Sequence, residues 1–355
     1  MKVFAQLLRA YFGDAAEARG EQTRCFRIAG RTVAMVFAGE RRVAEFSKAL
    51  SHLRAPISPA DLTLYVWDGE SAARNHLLRA YLFTLTNWWF DFTGPRGQLL
   101  DIHGGDVTAF YDPLSGLLSV LDYSRGSGFL WKRDVSEMPY FEACAPARVL
   151  LHAWLKRQGL QMVHGAAVGT EDGGVLLVGP GGSGKSTSAL ACLDSELQYL
   201  SDDYCIVQRD GTGFRLHGLY GTTKLADENN FRRFPRLSGG VWNRDRAPEE
   251  KAALFINERW PDKLIHDFPL AAIVAPIVSG TRETAMEPCS RAQALKALAP
   301  STMAQMPSSG PEDLAFMSNM VRSLACYRLR AGTELGEIPR AIGELLAPAP
   351  ACVRA

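Results

Sequence analysis

The fold is decided by the stretch Gly174-Val175-Leu176-Leu177-Val178, which is followed directly by Gly179-Pro180-Gly181-Gly182-Ser183-Gly184-Lys185-Ser186. The second half satisfies the pattern GxxxxGK[S/T] in full, and the apolar run before it is typical of a buried strand. The apolar residues between Ser186 and Leu193 indicate a helix. Strand, glycine-rich loop and helix in this order predict an α/β core that binds nucleotide phosphates. A glycine-rich turn that binds nothing is the alternative.

The residue types in this loop suit a chain of phosphate groups. Glycines let successive backbone N–H groups turn toward the phosphates, which lie at the positive N-terminal end of the helix. The Lys185 ammonium is expected to reach the β- and γ-phosphates of ATP, and the Ser186 hydroxyl to bind Mg²⁺. The predicted nucleotide-binding residues are Gly179, Pro180, Gly181, Gly182, Ser183, Gly184, Lys185, Ser186, Thr187 and Lys224.

Two adjacent carboxylates, Asp202 and Asp203, come soon after the predicted helix and end a predicted strand at 197–200. Neighbouring side chains of an extended chain point in opposite directions. One carboxylate can therefore bind Mg²⁺ while the other takes the proton of an incoming hydroxyl. A solvated acidic turn is the alternative interpretation.

Further cations are candidates for the same site. Lys224 follows the Asp pair and can offset phosphate charge, although a solvated surface lysine is the alternative. Lys251, after Glu249-Glu250, is a candidate of the same kind. The stretch 232–246 can hold an acidic peptide or the nucleotide tail, or else form a solvated loop. Its arginines are Arg232, Arg233, Arg236, Arg244 and Arg246.

The kind of secondary structure that the sequence predicts changes near residue 140, which indicates two domains. Residues 1–135 are expected to form a smaller N-terminal α+β domain, with a helix at 3–18, a hairpin at 25–37, a strand at 62–67, a buried helix at 71–89 and a meander at 98–131. An aromatic cluster, interpreted as core with a ligand platform as the alternative, comprises Phe83, Trp88, Trp89, Phe90 and Phe92. Residues 140–347 are expected to form the α/β domain, and residues 348–355 a flexible tail.

Within the α/β domain the sequence predicts an alternation of helices and strands. Helices are expected at 145–158, 291–298, 311–323 and 338–346, and strands at 161–168, 174–178, 270–278 and 325–329.

The composition argues against several classes of partner. The 355 residues include 39 Lys and Arg against 38 Asp and Glu, and a net charge of +1 is too small for sequence-independent attraction to nucleic acid. The most apolar stretch, 268–278, is too short to cross a bilayer. The first residues show no signal-peptide pattern, and the scattered cysteines predict reduced thiols. We therefore expect a cytoplasmic protein with no nucleic-acid or membrane partner. The sequence leaves open whether it forms a homo-oligomer.

Three motifs in register resemble the kinase domain of the HPr kinase/phosphorylase family, bacterial P-loop protein serine kinases akin to PEP carboxykinase. They are His164-Gly165 before the loop, the loop itself, and Asp202-Asp203, which stands where the family has Ala-Asp-Asp-Arg. The segment 145–330 is similar to the HPr-kinase-like precursor-peptide kinases of lasso-peptide and related clusters. The phrases that carry this second resemblance are LLHAW at 150–154, HGAAV at 164–168, LYGTTKL at 219–225 and APST at 299–302.

The resemblance implies a PEP-carboxykinase/HPr-kinase-like fold for residues 140–347 and a kinase that phosphorylates a serine hydroxyl of a peptide or protein, in particular a ribosomally made precursor peptide. Its catalytic residues would be Asp203 as base, Asp202 as a Mg²⁺ ligand beside Ser186, Lys185 on the phosphates, and His164 assisting the transfer. A buried histidine without a chemical role is the alternative for His164. Thr187 and Tyr204 depart from the family, which has Glu and Arg there. The family's glycine-rich signature for phosphorylase activity is at best echoed at 216–221, which speaks against reverse phosphorolysis.

Two other functions fit the same motifs. A small-molecule hydroxyl kinase would use the same site, and a nucleotide-binding regulatory module would bind ATP without turnover. The size of the N-terminal domain favours a peptide over a metabolite, and the retained aspartates favour turnover. We expect substrate choice in residues 1–135, where an exposed strand edge would take an extended peptide.

Overall fold

The computed structural model describes residues 2–69, 94, 96–134, 136–226 and 228–347. The chain divides into two compact units. The first comprises Met1–Leu160 with Met306–Ser309, and the second comprises Gln161–Gln305 with Gly310–Ala355. The first unit therefore continues past the boundary that the sequence suggested at residues 135–140.

The described strands of the first unit form one mixed sheet in the order β3-β1-β2-β4-β7-β6-β5. Its strands are β1 (Glu21–Ile28), β2 (Arg31–Ala38), β3 (Arg54–Ala55), β4 (Leu62–Asp68), β5 (Val107–Asp112), β6 (Leu117–Asp122) and β7 (Ser127–Lys132). Its helices are α1 (Lys2–Arg19), α2 (Val43–Ser47), α3 (Tyr140–Ala143) and α4 (Arg148–Arg157), with 3₁₀ turns at Lys48–Leu53 and Tyr123–Arg125.

The elements predicted for the start of the chain are present. β1 and β2 pair antiparallel, and Ala29 and Gly30 between them have φ angles of 46° and 77°, as a two-residue hairpin turn requires. β5, β6 and β7 form the expected meander. Helix α1 buries its apolar face on the sheet, where the Phe12 ring lies 5.9 Å from that of Trp67.

Residues 140–160 belong to the first unit because α4 packs on its sheet. A Cβ atom on Gly128 of β7 would lie 3.2 Å from Cδ1 of Leu150. The Tyr123 hydroxyl donates to the Ala153 carbonyl at 3.4 Å. The helix expected at 71–89, the aromatic cluster within 83–92 and the tail at 348–355 lie outside the described residues.

The second unit contains the phosphate loop. Its strands are β8 (Leu160–His164), β9 (Ala166–Thr170), β10 (Gly173–Leu177), β11 (Gln198–Ser201), β12 (Tyr204–Asp210), β13 (Gly213–Gly218), β14 (Thr222–Leu225), β15 (Ala252–Phe255), β16 (Asp267–Val278), β17 (Ala285–Pro288) and β18 (Ala325–Ala331). Its helices are α5 (Lys185–Ala191), α6 (Glu228–Arg233), α7 (Ile256–Arg259), α8 (Arg291–Gln305), α9 (Pro311–Ser323) and α10 (Glu337–Leu346). Further 3₁₀ turns lie at Cys192–Asp194, Pro235–Gly240 and Pro261–Lys263.

The main sheet of this unit runs in the order β11-β9-β10-β16-β13-β12-β8, and β18 adds to β16 with β17 beyond it. β16 is parallel to both β10 and β18. Alternate residues of β10 enter two different apolar cores. Val175 packs with residues of α5 and α10, whereas Leu176 packs with residues of α8 and α9. Helices thus cover both faces of the sheet, which makes this unit a mixed α/β domain.

The single strand predicted over 161–168 is wrong, because the chain breaks at Gly165. β8 pairs with β12, whereas β9 pairs with β10 and β11. The Gly165 N–H donates to the carbonyl of Asp203 at 3.0 Å, and a Cβ at position 165 would lie 2.8 Å from the carbonyl oxygen of Leu177. In the parts of the chain that the structure describes, no helix is both long and apolar enough to cross a membrane.

Candidate active site

The phosphate loop connects the end of β10 to the start of α5. Gly179, Gly182 and Gly184 have φ angles of 158°, 80° and 102°, which side-chain-bearing residues rarely adopt. A Cβ on Gly179 would also lie 2.5 Å from the Ser183 hydroxyl oxygen. The glycines of the motif are therefore needed for the shape of the loop, and α5 begins at Lys185 with its N-terminus facing the loop.

Lys185 lies almost fully buried inside the loop. Its ammonium donates to the carbonyl oxygens of Gly179 at 2.7 Å and Pro180 at 3.1 Å. Burial lowers the pKa of Lys185, and the nearby charges of Asp202 and Asp203 oppose that shift. Neutral carbonyl oxygens thus hold the ammonium near the N-terminus of α5. An anionic group bound there would compensate its positive charge.

Asp202 is 1 % exposed, and both of its carboxylate oxygens accept hydrogen bonds. Its Oδ2 accepts from the Thr223 hydroxyl at 2.6 Å, and its Oδ1 accepts from the backbone N–H of Asp203 at 2.9 Å. The Ser186 hydroxyl is near enough to this carboxylate to lower its pKa. Burial, with the neighbouring charge of Asp203, raises the pKa of Asp202. The sequence separates Ser186 from Asp202, and the fold brings them together.

Asp203 stands at a tight turn rather than in the extended chain that the sequence suggested. The Tyr204 N–H donates to the Asp202 carbonyl at 2.8 Å, and Asp203 has a φ of 64°, in the left-handed region. This turn sends the two carboxylates to different partners. Lys224 Nζ lies 2.7 Å from Asp203 Oδ2, and His164 Nε2 lies 3.7 Å from Oδ1.

The charge state of Asp203 follows from these contacts. Burial alone would raise the pKa of its carboxyl group, but the Lys224 ammonium and the His164 ring outweigh burial and hold that pKa well below its usual value. Asp203 is therefore an ionised carboxylate at neutral pH.

His164 is positioned by helix α8, which the sequence did not connect with the site. The backbone N–H of His164 donates to the Thr302 hydroxyl at 3.0 Å, and the Gln305 side-chain amide lies 3.2 Å from His164 Nε2. The Tyr204 hydroxyl donates to Gln305 Oε1 at 2.5 Å. Thr302 and Gln305 are three residues apart on one face of the helix. The one signal in the sequence was the phrase APST at 299–302.

The side chains border a cavity of about 430 Å³ within the second unit. Of the predicted residues, the lining includes His164, Gly181, Gly182, Gly184, Lys185, Ser186, Thr187, Asp203 and Lys224. Gly179, Pro180, Ser183 and Asp202 do not line it. The first two accept hydrogen bonds from Lys185, and Asp202 lies near Ser186.

The remaining cations separate into two groups. Lys251, next to β15, and Arg233, at the end of α6, line the same cavity as Lys185. The other arginines of the stretch 232–246 lie outside its lining. Arg236 pairs with Asp194 at 2.8 Å, Arg244 donates to the Gly239 carbonyl, and the Arg246 guanidinium lies 5.9 Å from the centre of the Phe231 ring.

No protein-family model matches this chain, and no curated protein sequence matches it. Among solved structures, the chain is similar to the Hpr(Ser) kinase/phosphatase from Coxiella burnetii, with 11% sequence identity and a TM-score of 0.28. The match covers 52% of this chain and 93% of that one. At these values the likeness carries no information about substrate or activity.

Proposed function

We propose that the protein is a kinase that uses ATP and Mg²⁺ to phosphorylate a serine hydroxyl of a peptide or protein, in particular a ribosomally made precursor peptide. The observation that carries the proposal is that two adjacent carboxylates lie in different surroundings. Asp202 is buried against Ser186 of the phosphate loop, and Asp203 faces the cavity beside Lys185. Binding alone would not need an ionised carboxylate at the reacting end of the phosphates.

The residues at Asp202 fit a magnesium site. The Ser186 hydroxyl and the Asp202 carboxylate supply the hard oxygen ligands that Mg²⁺ prefers, usually one or two protein groups beside phosphate oxygens and water. When bound, Mg²⁺ neutralises charge on the β- and γ-phosphate oxygens. Among the described residues there is no group of three or more His, Cys, Asp or Glu side chains that could hold a metal ion.

Asp203 would orient the acceptor and receive its proton. The serine oxygen forms a bond to the γ-phosphorus as the bond from that phosphorus to the bridging oxygen of ADP breaks, and the serine proton passes to the Asp203 carboxylate. His164 and Lys224 fix the carboxylate from two sides, so its lone pairs keep one direction. The cavity is lined by three lysines, Lys185, Lys224 and Lys251. Their positive charges would offset the negative charge of the phosphoryl group during transfer.

Transfer of label from [γ-³²P]ATP tests the proposal. We expect label in a serine-containing acceptor peptide, dependent on Mg²⁺, and none in the same peptide with that serine replaced by alanine. Label in a small metabolite would favour the small-molecule kinase instead. ATP binding without label in any acceptor, when the purified protein is offered a cell extract, would favour the regulatory module.

Acceptor recognition by the first unit is part of the proposal. The strand edge expected to take the peptide is partly covered at β5, because Gly97 and Leu99 hydrogen-bond to Tyr111 and Ala109. The first unit also contains a mainly apolar cavity of about 550 Å³. Its lining includes Phe110, Leu114, Phe141, Glu142 and Arg148. Apolar walls with a few charged groups suit the side chains of a peptide.

Leu114→Asp is expected to raise KM for the acceptor peptide and leave kcat and KM for ATP unchanged. Leu114 lines this cavity and is 83% exposed, so the substitution leaves the core intact. Loss of one apolar contact of this size corresponds to an effect of about tenfold or more. Ile57→Asp is the control, because Ile57 is 76% exposed and outside the cavity lining. An unchanged acceptor KM would remove this cavity from the proposal.

Thr223→Val is expected to raise the Mg²⁺ concentration needed for half-maximal activity by about tenfold. Valine keeps the volume of threonine but removes the hydroxyl that donates to Asp202, so the carboxylate is held less firmly. Thr170→Val, which removes only a 3.5 Å contact to the Gly173 carbonyl, is the control. Titration of activity with Mg²⁺ at saturating ATP measures the effect, and equal Mg²⁺ curves for both variants would contradict it.

A further inference from the structure

A second cavity adjoins the phosphate site and is larger than it, at about 910 Å³. Both cavities are in the second unit, and Arg233 lines both. Gly332 lines the phosphate cavity and the next residue, Thr333, lines the larger one; Ile338 and Pro339 are divided in the same way. The two spaces are therefore neighbours along the segment that leads from β18 into α10.

Helix α5 shows the direction in which the larger cavity extends. Ser186 and Thr187 in its first turn line the phosphate cavity, whereas Leu190 and Ala191 line the larger one. The step between Thr187 and Ala191 is about one turn, or roughly 5.4 Å along the axis. A molecule anchored by its phosphates at the start of α5 would reach the larger cavity by following the helix.

The reacting side of the site lies elsewhere. His164, Asp203, Lys224 and Gln305 line the phosphate cavity, and none of them is among the described residues that line the larger cavity. The acceptor hydroxyl has to approach Asp203, so the larger cavity is left free for a part of the nucleotide that does not react.

The lining chemistry fits a nucleoside. The phosphate cavity has no Phe, Tyr or Trp among its described lining residues, whereas the larger one has Trp260 and Phe234. Trp260 is half-buried, with the Arg259 guanidinium 5.2 Å from its ring centre. Aromatic faces stack on bases, and the carboxylates of Glu196 and Glu334 in the same lining can accept hydrogen bonds from ribose hydroxyls or a base amino group.

We propose that this cavity, between α5, the Pro235–Gly240 turn and α10, binds the ribose and base of the nucleotide whose phosphates the loop holds. The inference rests on the proposed function, since it takes the loop to be a nucleotide site. It adds the position of the nucleoside and assigns base stacking to Trp260.

Two variants and two probes test this inference. Trp260→Ala removes the stacking face. Gly343→Leu fills the cavity from α10, where a Cβ would meet nothing within 4 Å and a helical leucine is better tolerated than glycine. Binding of ATP and of inorganic tripolyphosphate is measured by calorimetry. We expect each variant to bind ATP about tenfold or more weakly and tripolyphosphate as the unchanged protein does.

The controls are matched in residue type. Trp242→Ala changes a tryptophan outside both linings, and Gly13→Leu changes a helical glycine of α1 with open space around it. Both should bind both probes normally. Unchanged ATP affinity in Trp260→Ala and Gly343→Leu, or equal weakening of both probes, would overturn the assignment of the nucleoside. Failure of the unchanged protein to bind either probe would instead overturn the proposed function.

Discussion

Replacing Lys185 by alanine is expected to reduce phosphoryl transfer on the order of 10³-fold and to weaken ATP binding about tenfold. The ammonium lies inside the phosphate loop and lines the same cavity as Asp203. Its charge would compensate the β- and γ-phosphate oxygens, whose charge shifts during transfer, so more of the loss should fall on kcat than on binding. Single-turnover transfer and calorimetry measure the two effects separately.

The fold should survive this substitution. The pKa of Lys185 is lowered in the folded protein, mainly by burial, which means that the charged form costs free energy when the chain folds. Removing the ammonium removes that cost, and we expect a Tm no lower than that of the unchanged protein. Lys263→Ala is a matched control, because Lys263 also donates to a backbone carbonyl of the second unit but lies outside the cavity lining. Unchanged turnover in Lys185→Ala would remove the phosphate loop from the mechanism.

The phosphate loop could be predicted because everything that shapes it is local. The loop lies within about twenty residues that also include the strand before it and the helix after it. The motif predicts this strand, this helix and the glycines with positive φ. The adjacent carboxylates were visible for the same reason. Their separation into two directions was also expected, although it arises from a tight turn with a left-handed Asp203 and not from an extended strand.

Some contacts that hold the site could not be predicted, because they join residues from distant parts of the chain. Thr223 stands 21 residues from Asp202, and Gln305 stands 141 residues from His164. Thr223 stands in the phrase at 219–225, but nothing in that phrase links its hydroxyl to Asp202. Threonine and glutamine are common on helices and strands without any role. Only the pairing of β14 with β15 and the packing of α8 on the sheet bring them to the site.

The boundary near residue 140 was misplaced for a physical reason. Helix α4 has an apolar face. Amphipathic periodicity predicts that such a face is buried, but it does not predict which sheet the face packs against. The residues that decide it are on β7, where Gly128 leaves space beside Leu150. A truncation at residue 135 would therefore divide the first unit and remove the sheet on which α4 packs. Point substitutions are the better test of what each unit does.

Asp203→Asn is expected to lower kcat by about 10²–10⁴-fold with little change in ATP affinity, because it removes a proton acceptor that acts at the reacting hydroxyl. Asparagine is suited to the position, since it adopts the left-handed φ of 64° as readily as aspartate. Its amide oxygen can still accept from Lys224. A preserved Tm would show that the loss is chemical.

Asp202→Asn should behave differently, although the residue is adjacent. Its oxygen can accept the Asp203 N–H while the Thr223 hydroxyl rotates to accept from the amide, so both contacts persist. The pKa of Asp202 is raised by burial, and a neutral side chain avoids that cost. We expect the Mg²⁺ requirement to rise about tenfold or more, with much of kcat recovered at saturating metal.

The comparison of the two variants decides which carboxylate binds the metal and which takes the proton, because each variant serves as the control for the other. If Asp202 holds the metal and Asp203 takes the proton, excess Mg²⁺ rescues the first and not the second. Rescue of both variants by excess Mg²⁺ would place both carboxylates on the metal and leave His164, 3.7 Å from Asp203, as the remaining base in the cavity. Rescue of Asp203→Asn alone would exchange the two roles. Asp262→Asn, an exposed aspartate outside the cavity lining, should show neither effect.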